Sequence, residues 1–218
     1  MHDFGLLVSR LALGGGIAAH GAQKAFGAFD GPGPQAAAQF LHGLGFKPGE
    51  RYATAAAWTE LAAGTMIALG LGGPLGPAGL ISTMVVAQTS VHAKNGFFAQ
   101  KNGVELGVVY SAGALALASS GFGRFSLDEA LGWETLREGW LTTLAVAGGI
   151  AAGLLVLAQR DAAGSAQAPA AAPAETAPAE TAPGAEDAAA AGQFIAAASE
   201  DRTVPADSPA AAGGNTAP

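Results

Sequence analysis

Seven ionisable residues stand inside or at the rim of apolar stretches: Arg10, His20, Lys24, Glu60, His92, Glu105 and Asp128. A charge surrounded by hydrocarbon is costly unless it finds a partner, so each marks either a buried pair or a place where chemistry is done. Their depths along the apolar runs separate them into two groups. With a helical rise of about 1.5 Å per residue, Arg10 lies roughly 9 Å from the N-terminal edge of its run, and Glu60 lies roughly 16 Å from the same boundary. A guanidinium is long enough to bridge that gap. Arg10 with Glu60 is therefore the first candidate for a buried ion pair, and Asp128 is the second candidate partner. Such a pair can equally be architectural, fixing helix register without doing chemistry.

The second group gathers where the first run ends. His20 and Lys24 are one turn apart there, His92 closes the third run with Lys94 and Asn95 behind it, and Glu105 opens the fourth. Antiparallel helices bring these ends to one depth. Two histidines and a glutamate so placed can bind a metal, relay a proton, or hydrogen-bond the head of a quinone-like cofactor. The bland alternative is an interfacial ring of salt bridges with snorkelling lysines. His2 and His42 have no spacing partner and read as surface residues. Gly14-Gly15-Gly16 is followed by no Lys-Ser or Lys-Thr, so a phosphate-binding loop is excluded.

Positioning these residues requires several long apolar helices, and the composition supplies them. The chain has 218 residues, half of them apolar and only 12% charged, against roughly 25% in a soluble domain. The expected class is all-α: an antiparallel four-helix transmembrane bundle, a fifth C-terminal transmembrane helix, and a disordered tail. The spans are predicted at 4–27, 52–71, 78–92, 104–120 and 139–158, with a short amphipathic helix over 35–44. Met84, Gln88 and His92 recur every four residues and predict a polar line on one face of the third span. Gly149 and Gly153 form a small-xxx-small pair that would suit close packing, and so leaves oligomerisation open. The expected domains are 1–132, then a link with the fifth helix over 133–160, then 161–218.

Cysteine is absent, which removes disulfides, thiolate catalysis and iron–sulfur ligation. No basic patch with interleaved aromatics is present, so nucleic acid is not an expected partner. Of the formal charge of −7, the tail supplies −6, since eight acids from Asp161 on face only Arg160 and Arg202. That tail is Ala, Pro, Glu and Thr in low-complexity repetition and reads as a solvated spacer. The start Met1-His2-Asp3 lacks the positive region of a signal peptide, so the first span is expected to be retained. Lys24, Lys47, Arg51, Lys94, Lys101 and Arg160 fall on one side of the predicted membrane, with Arg124 and Arg137 on the other. The positive-inside rule then makes the chain a multi-pass protein of the cell (inner) membrane with a cytoplasmic tail.

Several segments together resemble the DoxX family of small integral membrane proteins. They are Arg10-Leu11-Ala12-Leu13-Gly14, the His-Gly-x-x-Lys-x-Phe-Gly segment from His20 to Gly27, Glu60 before small residues up to Gly64, the His-x-x-x-Gly-Phe-Phe run from His92 followed by Glu105, and the Gly-x-Gly-Arg-x-Ser-Leu-Asp signature with Gly121, Gly123, Arg124, Ser126 and Asp128. The resemblance spans about residues 6–131. It implies a four-helix membrane core and association with membrane redox systems, either as a subunit of a quinone- or thiol-linked oxidoreductase or within an oxidative-stress complex with an oxidoreductase partner. Two other classes compete: a non-catalytic anchor recruiting partners through its tail, and a small-solute or proton permease built on Arg10, Glu60, His20 and His92.

Overall fold

The apolar runs of the sequence become helices of the expected order, and their ends are set by glycine and proline. In a computed structural model, which describes residues 1–160, α1 spans His2–Phe26, α2 Gly33–Gly43, α3 Gly49–Leu69, α4 Leu75–Ala87, α5 Glu105–Ser120, α6 Leu127–Ala130 and α7 Gly139–Ala158. No strand occurs among the described residues. α1 stops at Gly27 and α3 at Gly70, each in the left-handed conformation that closes a helix C-terminus. Pro74 ends the turn that follows α3 and leads into α4. The predicted disordered tail lies outside the described residues.

Where α4 meets its polar end the helix widens. Gln88–His92 is a π-helical turn, and 3-10 turns at Ala93–Asn95 and Ala99–Lys101 carry the chain to α5. The expected Met84–Gln88–His92 stripe is therefore broken, because a π turn takes more residues than an α turn and rotates everything beyond it. Gln88 packs against Gly107 of α5. His92 instead turns to the carbonyl of Asn102.

Two seams of small residues hold the helices together. At Gly14 a Cβ would lie 2.5 Å from the Gly64 carbonyl oxygen, and at Gly64 one would lie 2.3 Å from the Ala18 nitrogen, so the backbones of α1 and α3 touch. α7 meets α4 in the same manner, since a Cβ on Gly149 would stand 2.4 Å from the Ala78 carbonyl oxygen and one on Gly153 would stand 2.9 Å from that of Ser82. The Gly149/Gly153 pair is thus occupied within the chain rather than held free for a second copy. Through it α7 joins the same compact unit as α1 to α6. Ile17, Ile67, Leu80, Ile81, Leu117 and Phe122 fill the core between the seams.

Contacts at the helix ends give the directions. Asp3, Phe122 and the α3–α4 turn share one end; Lys24, Tyr52 and Gln159 share the other. Successive long helices are therefore antiparallel. Among the described residues two helices, α1 with 25 residues and α7 with 20, are long and apolar enough to cross a membrane.

Candidate functional site

At the end of the molecule that holds the N-terminus, Arg10 is 1% exposed and makes no pair with Glu60. Its Nη1 donates to the Phe122 carbonyl at 3.2 Å and its Nη2 to that of Phe125 at 3.0 Å. Asp128 accepts from the Gly72 and Gly73 amides at 2.8 and 2.7 Å, and its carboxylate also acts on the guanidinium through space. Its own amide donates to the Gly70 carbonyl at 3.0 Å. Gly70 must be glycine, since its φ is +67° and a Cβ would fall 2.0 Å from Arg10 Nη1.

Ser126 completes this knot by accepting from the Glu129 amide as the N-cap of α6 and donating to the Gly123 carbonyl at 2.6 Å. Gly121 and Gly123 supply positive φ to the loop, and Arg124, exposed at its side chain, donates its amide to Asp3. The motif 121–128 thus ties α1, the α3–α4 turn and α6 together. Of the buried side-chain polar atoms gathered in this knot, Arg10 Nε alone lacks a hydrogen-bond partner.

At the opposite end, Glu60 is paired with Lys24, its side chain 10% exposed against 32% for the lysine. Sequence reasoning assigned Glu60 to the wrong group. Depth along a helix could place it equally near either end, and only the crossing of α3 with α1 brings it to Lys24, with Phe26 packed edge-on against Trp58 two residues away on each helix. The expected inner cluster does not assemble around this pair. His20 is exposed and bonds Gln23 at 3.2 Å. His92 bonds the Asn102 carbonyl at 2.9 Å, and Glu105 accepts from the Ala99 amide at 2.8 Å, so both serve the 93–104 loop. Among the described residues no three His, Asp or Glu side chains stand close enough to share a metal ion.

What the pair does adjoin is a cavity of about 580 Å³ that the sequence did not disclose. Phe40 and Leu44 of the α2 region, Phe46, Tyr52 of α3, Val86 of α4 and Val156 of α7 supply apolar wall, and Lys24, Glu60 and Ser90 supply polar groups. Five separate segments contribute, which is why no local motif announces it. The C-terminal end of α7 closes one flank: Arg160 donates to the Leu44 carbonyl and lies 5.8 Å over the Phe46 ring, while Tyr52 donates to Gln159 at 2.9 Å. A largely apolar cavity with a few convergent polar groups suits an amphipathic small molecule.

The outer surface is also apolar. Val8 and Leu11 on α1, Leu106 and Val109 on α5, and Leu144 and Leu155 on α7 are all exposed, far more than the scattered apolar residues of a soluble surface. Residues 5–93 match the family model DoxX. Over that segment the chain is similar to the DoxX family. No curated protein and no solved structure matches the chain. The DoxX match covers Arg10, His20, Lys24, Glu60, Ser90 and His92, and so includes both members of the cavity's ion pair. It ends before Glu105 and the 121–128 knot, which stand outside it although they accompany the expected resemblance. Family likeness and apolar surface together make this a membrane protein.

Proposed function

We propose that this DoxX-like protein is a multi-pass subunit of a redox-linked membrane complex, and that its cavity receives the head of a quinone-like amphiphile. The observation that carries the reading is the Lys24–Glu60 pair in the wall of an otherwise apolar cavity. A quinone, when bound, supplies two-electron, two-proton chemistry. The chain's own residues would hold it. The lysine ammonium has three N–H donors, and bonding Glu60 leaves others available for a carbonyl oxygen. Glu60 keeps that ammonium aimed along the wall and accepts a proton at its carboxylate. The apolar wall excludes water from the head, strengthening each polar contact in it.

The antiparallel helices and the lysine-rich end that includes Lys24 support an inner-membrane orientation with the cytoplasmic side at the cavity end. The reading is tested with membranes from cells lacking the protein, assayed for electron flow from thiosulfate or a dithiol to quinone. The expected result is loss of that flow, restored by the wild-type chain and poorly by Lys24→Ala. Unchanged flow in the deletion strain would overturn the redox assignment.

A further inference from the structure

Four helical hydroxyls in this chain close on the carbonyl four residues back. Ser111 does so on Gly107 at 2.7 Å, Ser119 on Leu115 at 2.8 Å, Ser120 on Ala116 at 2.8 Å and Thr143 on Gly139 at 2.9 Å. Ser90 does not. Its residue is 7% exposed, and among the described residues its Oγ is the one buried side-chain hydroxyl with no hydrogen-bond partner. The cause is local: Ser90 sits in the π turn Gln88–His92, whose wider spiral displaces the carbonyl that an α-helical serine would use. Ser90 also belongs to the wall of the cavity that holds Lys24 and Glu60. Of the other hydroxyls in that wall, Thr83 is committed to the Leu80 carbonyl at 2.8 Å and Tyr52 to Gln159, while those of Thr59 and Ser82 belong to half-buried residues, which leaves Ser90 as the fully buried one without a partner.

We infer that Ser90 is a ligand-binding residue of this cavity, its Oγ–H donating to an acceptor oxygen of an amphipathic molecule seated there. The π turn is the device that keeps the hydroxyl unspent. A buried polar group without a partner is unfavourable, so the arrangement is explained if the partner arrives with the ligand. The Oγ is covered in the empty cavity, and donation to a ligand calls for rotation about the Cα–Cβ bond of Ser90, which needs no backbone movement. The chemistry required is an apolar body carrying a carbonyl-type oxygen, as in an isoprenoid quinone or the ester of a glycerolipid. The inference rests on the cavity reading proposed above, and it adds the group that would distinguish a ligand with such an oxygen from a plain hydrocarbon.

The test uses the full-length chain in detergent, with decylubiquinone binding followed by quenching of tryptophan fluorescence and with decylbenzene and dioctanoylglycerol as competitors. Saturable quenching is expected in the wild type. A neutral hydrogen bond of ordinary net strength predicts that Ser90→Ala weakens decylubiquinone about fivefold. Ser90→Thr, which keeps the hydroxyl, should restore most of that loss, and competition by decylbenzene should be unchanged in Ser90→Ala. The ligand-free Ser90→Ala protein should melt no lower than wild type, because it loses no bond. Equal affinity in wild type and Ser90→Ala for both decylubiquinone and dioctanoylglycerol overturns the role of Ser90. The cavity reading survives that result if Val156→Trp, checked for folding by size exclusion and circular dichroism, abolishes quenching. Absence of saturable quenching in the wild type, or quenching that persists in folded Val156→Trp, overturns both. Should Ser90→Ala weaken only dioctanoylglycerol, the hydroxyl's role stands, the acceptor is a lipid ester, and the quinone reading falls.

Discussion

Removing the two partners of the Lys24–Glu60 pair one at a time should have unequal consequences, and the inequality follows from their burial. The Glu60 side chain is 10% exposed and faces the cavity, whereas Lys24 is 32% exposed and has a stem that can swing outward. Lys24→Ala leaves a carboxylate buried with no counter-charge. Breaking a fully buried pair costs about 3 to 5 kcal/mol, and the partial exposure of the lysine lowers this to about 2 kcal/mol here. Glu60→Gln leaves an ammonium that can reach water or headgroups, and about 1 kcal/mol is expected. Replacing both, as Lys24→Met with Glu60→Leu, removes the charges together and should recover most of the stability lost in Lys24→Ala.

The assay is reversible unfolding of the detergent-solubilised chain, followed by far-ultraviolet circular dichroism across an SDS titration, with wild type, Lys24→Ala, Glu60→Gln and Lys24→Ala/Glu60→Gln in one double-mutant cycle and the Met/Leu double measured beside it. A coupling energy near zero would refute the reasoning. So would a Glu60→Gln loss equal to or larger than that of Lys24→Ala, since it would mean that the lysine is the member with nowhere to go.

Three further outcomes follow from the packing. Gly70→Ala places a Cβ on the Arg10 guanidinium at a left-handed backbone position and should lower stability by at least about 2 kcal/mol in the same titration, with Arg10→Met partly relieving the clash. Ser126→Ala removes the N-cap of α6 and should cost about 1 kcal/mol, whereas Ser119→Ala on the exposed face of α5 should cost nearly nothing. Gly149→Leu drives a side chain into the Ala78 backbone, where the Cβ alone would stand 2.4 Å from the carbonyl oxygen, and should lower stability by at least about 2 kcal/mol in the same titration. A loss below about 0.5 kcal/mol, the range of ordinary surface changes, would refute the close α4–α7 seam.

The helices and their order were legible because apolar length and glycine or proline punctuation are local properties. The runs beginning near Phe4 and Gly139 were long enough to be recognised without any neighbour, and α7 begins and ends where the sequence predicted. The buried nature of Arg10 and Asp128 was legible too, since no charge rests in such surroundings unsatisfied. Their partners were not. A carboxylate can be matched by one guanidinium or by two backbone amides, and Asp128 takes the amides of Gly72 and Gly73 while Arg10 takes carbonyls, a choice that depends on where two loops cross.

Glu60 shows the same limit. Residue counting gives depth along one helix, whereas pairing with Lys24 depends on the crossing of α1 over α3, which the close contact at Gly14 and Gly64 dictates. The π turn was hidden because an extra residue per turn leaves no mark on composition, yet it dissolved the expected polar stripe and freed Ser90. The sequence by itself determined which segments are helical, which residues must be shielded from lipid, and the DoxX character of the N-terminal part. Only the tertiary structure decided which polar groups meet and that a cavity opens beside Lys24 and Glu60, because both are sums over distant segments whose approach is set by packing.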